Sequence, residues 1–306
     1  MSYGFNSDKT KADINKIIRP VAYNAIGLTS KGGRNLTEVF ASEIENFTSE
    51  WAWIKDRIRK NNYDGIYIGD YIPLEIDRTT YPYSHEYHNM RIAFIEGNYM
   101  SRRIQDKQYP AWNNTRAYFV SDGVMWTYNL TETGTNNGNA ENPNPFACSS
   151  LKAFLNDSVF NELPEELQNV ITERFLVCAP KRYAQGQTLT DENGVWAYEY
   201  NIEPSYISIG KLWVPFEVEI FGTGVLGNGT YGCAGMQQFP LFKELSNRMM
   251  CEASYTPKDS FHNYPWWTAS AVAGSSTEWV KISERGAPIR GANRCSYAPL
   301  CFMIGY

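Results

Sequence analysis

Residues 264–306 read YPWWTASAVAGSSTEWVKISERGAPIRGANRCSYAPLCFMIGY, and this stretch decides how the remainder of the chain is understood. Termini that are not tied down tend to be polar and disordered. Here paired tryptophans, Trp266 and Trp267, lead into Gly- and Ser-rich sequence, then scattered arginines, then the apolar run Pro299–Ile304. The pattern predicts a closing strand locked into a folded domain, with a surface presented just before it. Trp266 and Trp267 read as core anchors of the strand that precedes that surface.

Working outward, the 306 residues have room for one large domain or two ordinary ones. A hydrophobic content of 43% with 15% aromatics supports a sizeable core and excludes global disorder. The 21 tyrosines and nine tryptophans suit β-rich cores and recognition surfaces alike. A net charge of −5 without a long basic run argues against nucleic acid or an anionic membrane as the main partner. No apolar stretch is long enough to cross a membrane as a helix. The opening MSYGFNSDKTKADINK lacks the apolar core of a signal peptide, so synthesis in the cytosol is expected, with release by lysis as one route outward. Six cysteines (148, 178, 233, 251, 295, 301) include no C-x-x-C pair, and buried free thiols are expected.

The first helix signal spans Asn35–Asn62. Asn35 and Glu38 stand at capping-box spacing, and Asn61-Asn62 supply a stop. Phe40, Ile44, Phe47, Trp51, Ile54 and Ile58 recur at steps of 4, 3, 4, 3, 4, a heptad seam. Such a seam serves either a helix packed on its own domain or a coiled coil joining subunits, a trimer being favoured. From residue 63 the texture becomes strand-like, in GIYIGDYIPLEI, MRIAFIEGNYM and RAYFVSD. Ser149 or Ser150 caps a predicted helix over LKAFLNDSVFNEL, and Pro164 opens another over PEELQNVITERF. FLVCAPKRYA, VWAYEYN and KLWVPFEVEIFG again read as strands, and FPLFKELSNRMMC as a polar helix. Residues 131–145 and 222–235, rich in Gly, Asn and Pro, are loops. The expectation is α+β: an N-terminal helical attachment or oligomerisation segment over residues 1–62, and one domain over residues 63–306.

Catalytic motifs are scarce. His85, Glu86 and His88 in SHEYH have the wrong spacing for H-E-x-x-H, which needs two imidazoles one helical turn apart. With three histidines in all, no metal is expected. There is no G-x-S-x-G elbow, and the Gly-rich GTGVLGNGTYG lacks the Lys-Ser/Thr of a phosphate loop. No enzyme activity and no cofactor are expected.

Four segments in order, YIGDYIPLEI, SSLKAFLNDSVF, KLWVPFEVEIFG and WWTASAVAGSSTEWVKISERG…YAPLCFMI, resemble the C-type-lectin-like domains common in Firmicutes and gut-phage proteins. The resemblance spans about residues 63–306. Departures from that pattern include WWTASA in place of WWLRSP, and Ala298 where an arginine is usual. The resemblance implies a C-type-lectin-like fold of the formylglycine-generating-enzyme-like branch, with termini paired in one sheet and long loops on a second. Its calcium-binding loops are not matched, since Glu203-Pro204 is followed by Ser205. That branch also contains enzymes working through two cysteines. Cys295 and Cys301, with Arg290 and Arg294 nearby, are the candidates such an alternative would use.

The resemblance implies a phage or prophage virion protein displaying a domain for a bacterial surface protein or glycan, alongside other virion proteins. A passive decoration protein is a further alternative. The ligand-binding candidates are Ser270, Ser275, Ser276, Glu278, Lys281, Arg285, Arg290, Asn293, Arg294 and Tyr297, a paratope-like mixture of small, charged and aromatic side chains. C-type-lectin-like proteins are also frequent targets of diversity-generating retroelements, which vary codons in this C-terminal stretch.

Overall fold

The run after Pro299 is a strand, and it lies in the middle of a sheet. The computed structural model describes residues 33–76, 86–96, 115–131, 136, 144–178, 205–227, 236–251, 263–292 and 295–305. Its strands are β1 (Tyr71–Ile76), β2 (Glu86–Glu96), β3 (Arg116–Ser121), β4 (Trp126–Tyr128), β5 (Ile171–Thr172), β6 (Arg174–Cys178), β7 (Ser205–Gly210), β8 (Leu212–Trp213), β9 (Trp266–Ala271), β10 (Glu278–Ile282), β11 (Pro288–Ala292), β12 (Ser296–Ala298) and β13 (Cys301–Gly305). β13 runs antiparallel to β3 along one edge and to β5 and β8 along the other. β2 and β1 extend the sheet beyond β3. The second sheet has the order β11-β10-β9-β12-β4, with β9 and β12 parallel and the other pairs antiparallel. β6 and β7 form a separate ribbon. The architecture is α+β around a curled antiparallel sheet.

Strand alternation gives the first sheet two apolar faces. On one, Phe302 stacks on its register partner Phe119, ring centroids 5.1 Å apart, and Trp51 sets its edge against both at 5.8 and 6.0 Å. On the other, Tyr118 meets Phe239 at 5.3 Å, and Phe239 stacks on Phe94 at 5.7 Å.

The expected helix over residues 35–62 is broken into α1 (Leu36–Val39), α2 (Ala41–Ile44) and α3 (Glu50–Arg59). The Asn35 cap forms, accepting from the Thr37 N–H. A second cap, missed in the sequence, explains the break: Ser49 accepts from the Ala52 N–H and starts α3 afresh. Trp51, Ile54 and Ile58 of the seam are fully buried in the chain's own core, while Phe40, Ile44 and Phe47 pack half-covered against it. The backbone leading into α1 is tied down as well. Buried Asp70 accepts from the Arg34 amide at 3.0 Å, from its guanidinium at 2.6 Å and from the Tyr67 N–H at 3.0 Å.

Three other expectations are corrected. PEELQNVITERF is helical only over α6 (Glu165–Gln168), which follows α4 (Ser150–Ala153) and α5 (Phe160–Glu162); Ile171 onward joins β5 and β6, where β-branched and aromatic side chains find sheet partners. FPLFKELSNRMMC forms two short 3-10 turns, Pro240–Lys243 and Leu245–Asn247, rather than one helix. KLWVPFEVEIFG is strand only at β8, then turns into α7 (Glu217–Phe221). Glu219 draws that helix together by accepting from the Phe216 N–H at 2.9 Å, and Gly222 ends it at a φ of 81°. The strand expectation VWAYEYN lies outside the described residues.

Candidate functional site

Three tryptophans build the second sheet's scaffold, and all are buried: Trp266, Trp267 and Trp279. Trp266 donates its indole N–H to the Arg248 carbonyl at 3.0 Å, and Trp267 donates to the Tyr128 carbonyl at 2.9 Å. These bonds fix both rings, as buried indoles require. Two tight turns project from this scaffold. Ser275 caps the first, accepting from Thr277 and Glu278 N–H groups at 3.3 and 3.1 Å, so it is a turn-former. Ser283 caps the second, accepting from Ala287 N–H at 3.2 Å, with Gly286 at a φ of 74° where an L side chain would be strained.

The sequence-predicted residues divide accordingly. Ser276, Arg285 and Arg290 are exposed on or beside the turns. Glu278 lies half-buried and pairs with Arg290 at 3.4 Å, a surface pair of small energetic weight. Tyr297 is half-buried against Tyr264, ring centroids 4.4 Å apart. Lys281 lies on the opposite face of β10 from Glu278, with its ammonium 4.2 Å from the Trp267 ring centroid. Burial pushes the Lys281 pKa down. Asn293 and Arg294 lie outside the described residues.

Ser270 is set apart from the others. Its hydroxyl accepts from the Glu217 N–H at 2.9 Å, and it lines a cleft of about 30 Å³ with Phe216, Gly224, Gly227 and Met236. That volume holds one or two water-sized groups. Glu217, which sequence reasoning missed, closes this cleft: its buried carboxylate accepts from the Leu226 and Gly227 N–H groups, both at 2.8 Å. A side chain at residue 227 would collide with that carboxylate, its Cβ falling 2.7 Å from Oε2. Glu219 beneath it is ion-paired with Arg174, whose guanidinium lies 4.7 Å from the Trp213 ring centroid. Two acids inside the apolar run WVPFEVEIFG were the available signal.

Cys295 and Cys301 are placed differently. Cys295 is exposed ahead of β12, whereas Cys301 is buried at the start of β13. Burial pushes the Cys301 thiol well above its usual range, opposite to what a reactive thiolate needs. A thiol reagent at neutral pH should therefore label Cys295 in the native protein and leave Cys301 untouched until denaturant is added; labelling mass spectrometry reads both. Rapid native labelling of Cys301 would contradict this placement. Of the SHEYH residues, His88 is buried, and His85 is outside the described residues. Among the described residues no three His, Cys, Asp or Glu side chains converge as a metal site, and no helix is long and apolar enough to span a membrane.

No curated protein and no solved structure matches the chain. A family model does, over residues 120–301, from β3 through the whole of the second sheet and both turns to the start of β13. With well over half its length covered, the chain belongs to the family described as a domain of unknown function, DUF6273.

Proposed function

We propose that the protein is a phage or prophage virion component of C-type-lectin-like type, which binds a bacterial surface protein or glycan through the second sheet and its turns. One observation carries this reading. Buried tryptophans hold β9 and β10 in place, while Ser276, Arg285 and Arg290 stand exposed on the turns and strand edge around them. A rigid base with adaptable polar and charged groups at its rim is the physical layout of a recognition surface. β1 and β13 share one sheet but are not neighbours, whereas the resemblance implies paired termini. The half-covered surfaces around Ile44 and Phe47 would join it to sister subunits or other virion proteins.

Labelled protein, presented at particle-like valency to a panel of gut bacteria, tests the proposal. Strain-selective binding is expected, and alanine at Ser276, Arg285 and Arg290 should abolish it while the variant keeps the wild-type circular dichroism spectrum. Binding to no strain by either protein would sink the adhesin reading.

A further inference from the structure

Among the described residues, Lys281 meets a tryptophan ring and neighbouring donors but no hydrogen-bond acceptor. Trp279 and Lys281 are two residues apart on β10 and share a face, together with their register partners Gly291 and Trp267. The lysine stem lies flat across Gly291: a Cβ there would fall 2.6 Å from Cδ and 2.9 Å from both Cγ and Cε. Any larger residue at 291 would lift the stem away, so the glycine sets where the ammonium rests. Among the described residues, each buried arginine has at least one acceptor: Arg57 has Glu43 and the Asp64 carbonyl, Arg91 has Gly69 and Asn247, and Arg174 has Glu219. On Lys281, among the described residues, no carboxylate and no hydrogen-bond acceptor is found, although the chain carries 33 acids against 28 basic residues. Next to it on the strand Trp279, fully buried, holds an indole Nε1–H that finds no hydrogen-bond partner among the described residues. A buried donor without an acceptor costs free energy that a ligand oxygen can recover.

We propose that Lys281 anchors an oxyanion of the ligand, a carboxylate or phosphate group, on the β10 face that it shares with Trp267, Trp279 and Gly291. An ammonium repels a cationic group, gains only an ordinary hydrogen bond from a neutral oxygen, and gains a stronger, charge-assisted bond from an oxyanion in partly desolvated surroundings. This inference rests on the recognition reading and narrows its ligand to acidic surface polymers.

The test follows the Lys281 side chain by NMR in lysine-labelled full-length protein, with Lys281→Met supplying the assignment. Glucuronate, inorganic phosphate and neutral glucose are titrated separately. The expected result is a saturable shift with an anion, half-complete at roughly 1–10 mM as suits one isolated contact, and none with glucose. Response to glucuronate alone selects a carboxylate source, and response to phosphate alone selects a phosphate source. No saturable shift with either anion, or an equal shift with glucose, overturns the proposal and leaves a stem that only shields Trp267. An anion response without binding to any strain keeps the anchor and discards the adhesin. Strain binding without an anion response does the reverse.

Discussion

Arg174→Met is expected to cost about 3–5 kcal/mol of folding stability, the usual consequence of stranding one member of a buried ion pair. Arg174 and Glu219 are both almost fully buried, and the guanidinium sits among the rings of Trp213, Tyr118 and Phe216 at 4.7, 5.1 and 5.9 Å from their centroids. Removing it leaves a carboxylate in an aromatic cage with the Phe216 N–H as its remaining partner. Replacing both members, Arg174→Met with Glu219→Leu, should recover a large part of the loss, because no uncompensated charge then remains. Urea denaturation midpoints compare the three proteins. A single variant within about 1 kcal/mol of wild type would show that water reaches the pair and screens it. The pair also matters to the cleft, since α7 is joined to β9 by the Glu217 N–H on Ser270 and by the Ala269 N–H on the Pro215 carbonyl at 3.0 Å.

Trp51→Ala is expected to be comparably severe, about 3–5 kcal/mol, because removing a buried ring packed edge-on against the stacked Phe119 and Phe302 leaves a void that the sheet cannot close. The melting temperature should fall by roughly 5–10 °C for a chain of this size. This effect should persist at every protein concentration. Had Trp51 served a subunit seam, the melting of dilute protein would be unchanged and only the concentration dependence would move. Thermal melts over a wide range of concentrations separate the two outcomes, and an invariant dilute melt would return Trp51 to an interface role.

The same residue shows where sequence reading stops. A 4-3-4-3 rhythm identifies a helix face that wants covering, but not what covers it, since a partner helix and the chain's own sheet demand the same spacing. β1, β2, β3, β9 and β13 were legible because strand alternation and apolar runs are local properties. α7 was not legible: its two buried acids depend on Arg174, 45 residues away, and on amides of the loop at 226–227. The break in the first helical stretch was readable in principle, because Ser49 before Glu50 is an ordinary cap, yet the seam drew attention past it. Within the site, the Ser- and Arg-bearing turns could be anticipated from composition. Lys281 was among the ligand-binding candidates, but its resting place over the Trp267 ring was not legible, because that contact depends on cross-strand register.

One feature of the topology governs how this molecule comes into being. The large sheet is bisected by β13, whose hydrogen-bonding partners on its two sides, β3 and β5 with β8, are synthesised long before it. Until β13 has been made, the edges that β3, β5 and β8 present to it in the native sheet have no strand to pair with. Growth of the chain from its N-terminus therefore cannot complete the sheet strand by strand. Such far-apart pairing gives a high contact order, and the native state should be reached in one late, slow, concerted step rather than in stages during translation.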